Sequence, residues 1–195
     1  RANVNRTVAV MGRRMGHLFH PTEGSDGGSF LGHGPVFRDF NFSMDGNAVA
    51  AVVPMQLPIT LIPYDAARAI EITPTDLREF EARGAATAWI ARRSAGWADY
   101  WRTDIGRSGF YPFDLLAAAY VLAPRQFRCA EVTAWVGKDP MLFVPLLRPQ
   151  ALLVGQKSKF AEEDVSTAAV YCPAAEAGLE AAVGRGLCGR RPLRG

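Results

Sequence analysis

Apolar residues along the 195-residue chain fall into short runs that alternate with amphipathic segments. The runs TVAVM (residues 7–11), ITLI (59–62) and EVTAWV (131–136) predict buried strands, because they are short and rich in β-branched and aromatic residues. Residues 151–154 and 167–171 are shorter strand candidates that we interpret as an edge hairpin. Strands that alternate with helices predict an α/β sheet, and no linker divides the chain, so we expect a single domain over residues 1–195.

Helix start signals separate these runs. Asp45 is expected to cap a helix that Pro54 ends early. Thr73 and Pro74 mark the start of another helix, with Asp76 in its first turn. The apolar face predicted for this second helical region consists of Leu77, Phe80, Ala85, Ala88 and Trp89.

Two further helices are predicted towards the C-terminus. The run after Asp114 (LLAAAYVLA) is apolar nearly all round, which predicts a buried helix. Residues 173–187 are predicted to form a terminal helix. Residues 12–38 are rich in glycine and are expected to form a loop, and a loop of this length is often functional. Three histidines lie in that loop without the spacing of a helical metal pair, so we expect them to pack or face solvent: His17, His20 and His33.

Composition narrows the function classes. The net charge of +3 comes largely from C-terminal arginines, and no aromatic residues interleave with them, so a solvated tail is favoured over nucleic-acid binding. Cys129, Cys172 and Cys188 are widely spaced without a C-x-x-C motif, which favours free thiols in a reducing compartment. No apolar run approaches the roughly 20 residues that cross a bilayer. We therefore expect a cytoplasmic protein with neither a membrane nor a nucleic acid as partner.

Common catalytic motifs do not occur in the sequence: there is no G-x-S-x-G elbow and no phosphate-binding glycine loop. Asp39, Asn41 and Asp114 remain as polar groups at predicted loop-to-helix junctions. Carboxylate and amide groups suit recognition of sugar hydroxyls, and a free carboxylate suits a hard cation such as calcium. Asp114 has two interpretations at this point: a helix cap, or a carboxylate directed into a cleft.

Two segments resemble the nucleoside hydrolase family, the calcium-dependent N-ribohydrolases of inosine-uridine preference. The first resembles an early family motif and consists of Asp39, Phe40 and Asn41, then a short helix, then the strand PITLIPYD. The second resembles a later family motif and reads FYPFDLLAAAYVLAP. The similarity extends over roughly residues 4–185. It implies an α/β fold with an open mixed sheet flanked by helices. The N-terminal aspartate cluster of the family does not occur in the sequence, so we expect the C-terminal part of such a fold.

The resemblance also implies roles for individual residues. It implies a calcium ion held in part by Asp114. The catalytic aspartate is not assigned and is expected in the absent N-terminal segment. Here Asp39 stands where the family has Glu, and Phe113 stands where many members have a His proposed to protonate the leaving base. The residues implied to bind the nucleoside substrate are Met11, His33, Asp39, Phe40, Asn41 and Phe113.

The implied activity is hydrolysis of the N-glycosidic bond of nucleosides to ribose and free base. This reaction belongs to purine and pyrimidine salvage, and we expect a homo-oligomer. We expect this hydrolysis from the complete form of the protein, because the expected catalytic aspartate lies outside this sequence. The alternatives are a non-catalytic ribose- or nucleoside-binding protein and an inactive fragment.

Overall fold

A mixed β-sheet lies at the centre of the computed structural model, which describes residues 4–14, 39–67, 69–138, 150–155, 165–179 and 183. The sheet order within these residues is β1-β3-β6-β4-β5-β2. β4 runs antiparallel to both of its neighbours, and the other neighbouring strands are parallel. The predicted α/β class with an open mixed sheet is confirmed. The strands are β1 (Thr7–Ala9), β2 (Arg13–Arg14), β3 (Ile59–Leu61), β4 (Phe127–Lys138), β5 (Gln150–Gly155) and β6 (Ser166–Ala175).

Helices occupy the connection from β2 to β3 and the connection from β3 to β4. Asp45 caps α2 as predicted, because its carboxylate accepts a hydrogen bond from the Ala48 N–H at 2.9 Å. Thr73 and Asp76 form a reciprocal capping box at the start of α4. The helices are α1 (Phe40–Met44), α2 (Gly46–Val52), α3 (Tyr64–Ala67), α4 (Pro74–Arg83), α5 (Ala85–Tyr100) and α6 (Phe113–Leu122). Short turns follow three of them: a 3-10 turn at Val53–Met55, a π turn at Trp101–Ile105 and a 3-10 turn at Pro124–Gln126.

The predicted apolar face of the second helical region is only partly correct. Leu77 on α4 and Ala88 on α5 are buried, but Trp89 is 58% exposed. The chain breaks at Gly84 into two separate helices, so the helical phase restarts there. Spacing counted across Gly84 therefore assigned Trp89 to the wrong side.

Core residues lie on both faces of the sheet. Leu61 packs with Phe42, Val53 and Leu152 on the side of α1 and α2. Its neighbour Ile62 packs on the other side, with residues of α6 and β6. This alternation follows from the pleat, because successive side chains of an extended segment point to opposite faces. β3 therefore lies between two packed layers. One layer contains α1 and the other contains α6, the helices of the two segments that resemble family motifs.

The C-terminal strands differ from the sequence predictions in three respects. The prediction of an edge hairpin is wrong, because β6 lies inside the sheet between β3 and β4, and β5 pairs with β4 and β2. Residues 173–175, assigned to a terminal helix, continue strand β6 instead. Arg13–Arg14 forms a short strand where a loop was predicted. Pairing partners distant in sequence supply the hydrogen bonds for these strands, and the local pattern does not show them.

A disulfide joins Cys129 on β4 to Cys172 on β6. The expectation of free thiols is therefore wrong for these two cysteines, although their spacing of 43 residues gave no sign of pairing. The antiparallel pairing of β4 with β6 brings them together, with a Cα–Cα distance of 4.1 Å. Across the part of the chain that the structure describes, no helix is long and apolar enough to span a membrane.

Candidate functional site

The carboxyl ends of β1 and β3 lie side by side. These strands are parallel, with Ala9 opposite Leu61, and the Ile62 N–H donates to the Ala9 carbonyl at 2.9 Å. The segments that follow, residues 10–12 and 62–64, therefore leave the sheet at the same edge. In α/β proteins, ligands bind at this edge, outside the carboxyl ends of the parallel strands.

Asp39 and Asn41 are hydrogen-bonded to the segment after β1. The Gly12 N–H donates to Asp39 Oδ2 at 2.7 Å, and the Phe42 N–H donates to Asp39 Oδ1 at 3.2 Å. Asn41 Nδ2 donates to the Val10 carbonyl at 2.6 Å. These bonds attach the first turn of α1 to the end of β1. Sequence reasoning placed both residues at a loop-to-helix junction, and the structure places them beside Met11 as well.

Burial raises the pKa of the Asp39 carboxyl above its ordinary value of 3.8. Hydrogen bonds from the backbone N–H groups of Gly12, Phe42 and Asn41 act in the opposite direction, as does the nearby positive charge of Arg13. Desolvation of the carboxylate outweighs these contributions. The group is therefore a half-buried acid that the surrounding backbone holds in one orientation.

Gly12 occupies a position that other residues would strain. Its φ angle is +94°, in the left-handed region, and it is buried. A Cβ at this position would lie 3.3 Å from Leu61 Cδ1. The chain can therefore turn sharply after Met11 and present the Gly12 N–H to Asp39.

Met11 packs towards the interior. It lines an apolar cavity of about 200 Å³ between α2 and the sheet, together with Ala9, Val49 and Leu61. It also packs against the core cluster on that face. The structure thus gives Met11 a packing role, and its contact with a sugar stays a prediction.

Phe113 and Asp114 begin α6 at the same edge of the sheet. Phe113 is half-buried, and its ring centroid lies 5.6 Å from that of Tyr64, which directly follows the β3 segment. The rings of Tyr111 and Trp101 lie 6.1 and 6.3 Å away. Asp114 is exposed in the first helical turn and accepts no hydrogen bond from the described residues. Its carboxylate is thus accessible to a ligand.

The segment leading to Phe113 is fixed by contacts that sequence reasoning missed. Ile72 and Phe110 exchange two backbone hydrogen bonds of 2.9 and 3.0 Å. The carboxylate of Glu71 pairs with Arg107 at 3.2 Å, and the Arg107 guanidinium lies 5.1 Å from the centroid of the Tyr111 ring. No motif or spacing linked these residues, because the pair is separated by 36 positions.

The predicted site residues thus form two groups. Met11, Asp39 and Asn41 meet at the end of β1, and Phe113 and Asp114 lie at the start of α6. His33 lies outside the described residues, as does the side chain of Phe40, whose backbone begins α1. Among the residues with described positions, no group of three His, Cys, Asp or Glu side chains could hold a metal ion.

Comparison with known proteins identifies the family. The sequence model of the inosine-uridine preferring nucleoside hydrolases matches residues 25–168, which is most of the chain. The chain belongs to this family. The resemblance that the two motifs indicated is thereby confirmed.

The solved structure of a plant nucleoside hydrolase, PpNRh1, is similar in fold to this nucleoside hydrolase family member. The TM-score is 0.58 at 12% sequence identity, so the similarity concerns the fold alone. The alignment covers 74% of this chain and 46% of the plant chain, so this chain corresponds to less than half the length of the plant enzyme. A search of curated proteins found no matching sequence.

Proposed function

We propose that the complete protein hydrolyses the N-glycosidic bond of nucleosides, releasing ribose and the free base. The observation that carries this proposal is the placement of the two family motifs. The segment of residues 39–41 is bonded to the end of β1, and Asp114 lies at the start of α6 on the same edge of the sheet. The two groups adjoin the carboxyl ends of β1 and β3, where ligands bind in α/β sheets.

Asn41 is our candidate for recognising the sugar. Its Nδ2 uses one hydrogen on the Val10 carbonyl. The second hydrogen and Oδ1 make no hydrogen bond to the described residues, so they are free to donate to one hydroxyl and accept from another. Met11 and His33 are proposed as further contacts to the nucleoside.

Phe113 is our candidate for contacting the base. Its ring is half-buried among Tyr64, Tyr111 and Trp101, so its orientation is fixed by packing. A fixed aromatic ring can stack on a nucleobase. A phenyl ring has no proton to donate, so protonation of the leaving base requires another group.

Calcium is proposed as the cofactor, with Asp114 as one ligand. The exposed carboxylate at the start of α6 has the oxygen donors that calcium prefers. Calcium takes 6–8 oxygen ligands, and one carboxylate supplies at most two of them. The described residues therefore fit the ion only in part. When bound, calcium would lower the pKa of a coordinated water, and we assign no residue to remove its proton.

Salvage of purines and pyrimidines, homo-oligomerisation and a cytoplasmic location belong to the same proposal. The disulfide between Cys129 and Cys172 opposes the cytoplasmic location, because reducing compartments keep most thiols unpaired. Mass spectrometry after thiol labelling of the protein in its own cells tests this point. A labelled Cys129 would support the cytoplasm, and an unlabelled one an oxidising compartment.

One observation favours a second function, nucleoside binding without catalysis. The residue before Asp114 is Phe113, which cannot act as a general acid.

The two functions are separated by assaying ribose release from a mixed set of nucleosides, by the full-length product of the gene, with calcium and with a chelator. Release that requires calcium is the expected result. Binding of nucleosides without release would instead establish the second function, and release in the chelator would refute the role of calcium.

A further inference from the structure

We propose that Asp39 is a positioning residue that fixes the end of β1 against α1, and that it does not bind the sugar. The inference rests on the proposed function only in so far as Met11 and Asn41 belong to the nucleoside site. The contact itself is a feature of the fold and can be tested without any ligand.

Both oxygens of the Asp39 carboxylate face backbone donors. Oδ2 accepts from Gly12, which lies 27 positions earlier in the chain, and Oδ1 accepts from Phe42 in the first turn of α1. Asp39 is the N-cap residue of α1, with extended backbone angles of φ −66° and ψ 116°. One carboxylate therefore caps a helix and holds the end of a strand at the same time.

The bonds from α1 lie on both sides of Met11. Asn41 binds the carbonyl of Val10, the residue before Met11, and Asp39 binds the N–H of Gly12, the residue after it. The position of Asn41 relative to Met11 depends on both bonds. Loss of the Gly12 contact would leave α1 bonded to this turn at one point only, the bond between Asn41 and Val10.

The positioning role depends on the length of the side chain. N-caps favour short side chains such as Ser, Thr, Asp and Asn, because the oxygen must reach back to the first turn of its own helix. Asp39 makes this reach and still contacts Gly12 at 2.7 Å. An added methylene would displace this carboxylate from its two backbone donors.

Asp39→Glu therefore tests the positioning role. If Asp39 positions the turn, the Gly12 amide should exchange its hydrogen roughly tenfold faster or more, because a hydrogen bond to a charged acceptor is lost. Nucleoside affinity should also fall several-fold. Unchanged Gly12 exchange would overturn the proposal, and so would faster Gly12 exchange with nucleoside affinity kept or increased, because the Gly12 contact would then not position the site.

Asp45→Glu is the matched control. Asp45 caps α2 through the Ala48 N–H in the same way, but its carboxylate makes no bond to a distant segment within the described structure. It should alter neither Gly12 exchange nor nucleoside affinity. A change in Gly12 exchange as large as that of Asp39→Glu would overturn the proposal, because it would reflect general loosening of the helices.

Asp39→Asn is the second variant, in case Asp39→Glu does not fold. An amide can accept from one backbone N–H but presents its own N–H₂ to the other, so it should lose one of the two contacts. Faster exchange at Gly12 or at Phe42, measured by NMR on the folded protein, supports the positioning role. Unchanged exchange at both amides would overturn it.

The proposed function fails separately. If the wild-type protein binds no nucleoside, the substrate is wrong, while faster Gly12 exchange in Asp39→Glu would still establish the positioning contact.

Discussion

Reduction of the Cys129–Cys172 disulfide should lower the free energy of unfolding by about 4 kcal/mol. The bond closes a loop of 43 positions between β4 and β6, and the chain-entropy model converts a loop of that size into about 4 kcal/mol at 25 °C. For a chain of this length, each kcal/mol shifts the melting temperature by about 2–4 °C. The expected decrease in melting temperature is therefore about 8–16 °C.

Thermal and urea unfolding, followed by circular dichroism with and without reducing agent, measure this effect. Cys129→Ser should reproduce it, because Cys129 is exposed and its replacement leaves the buried Cys172 in place. A shift of less than about 1 kcal/mol on reduction would refute the reasoning, since the loop-closure contribution would then be absent.

Three further predictions concern α6 and Asp39. Leu116→Ala should cost about 3–5 kcal/mol in urea unfolding, because Leu116 is fully buried in the core. Leu122→Ala, at a position 84% exposed on the same helix, should cost less than about 0.5 kcal/mol, and equal effects would contradict the packing account. Asp114→Ala should abolish calcium binding by the full-length protein in titration calorimetry, and unchanged affinity would remove Asp114 from the metal site. Burial raises the pKa of Asp39, so the native state binds this proton more tightly than the unfolded state does. The associated stability is present below pH 3.8 and is lost as the pH rises through the native pKa. The unfolding free energy of the wild type relative to Asp39→Asn should therefore fall with rising pH across that window, and a rise would contradict the burial argument.

Features that depend on near neighbours could be predicted from the sequence. Asp45 and Thr73 cap their helices through donors three residues away, so the cap and its target lie in one short segment. The strand at residues 59–62 could be predicted because it is a continuous apolar run, as expected of a strand buried between two layers. The family was visible for a similar reason, since each of its two motifs is contiguous in sequence.

Features that depend on distant partners could not be predicted. The disulfide and the location of β6 inside the sheet both follow from pairing between β4 and β6, which no local pattern encodes. The bond between Asp39 and Gly12 spans 27 positions. Sequence reasoning recognised Asp39 as polar and well placed, but it could not show that backbone groups already use both of its oxygens. The binding roles of six residues stay predictions: Met11, His33, Phe40, Asn41, Phe113 and Asp114.

The binding of nucleosides by the full-length protein tests the central claim most directly. Inosine and uridine are titrated calorimetrically, in calcium, into the wild type, Asn41→Ala and the control Asn47→Ala, which alters an exposed residue of α2. The account predicts binding by the wild type and the control. It also predicts roughly 2- to 10-fold weaker binding by Asn41→Ala, because one or two hydrogen bonds to the sugar are lost. Equal affinity in all three proteins would remove Asn41 from the site, and a folded full-length protein that binds neither nucleoside would contradict the account.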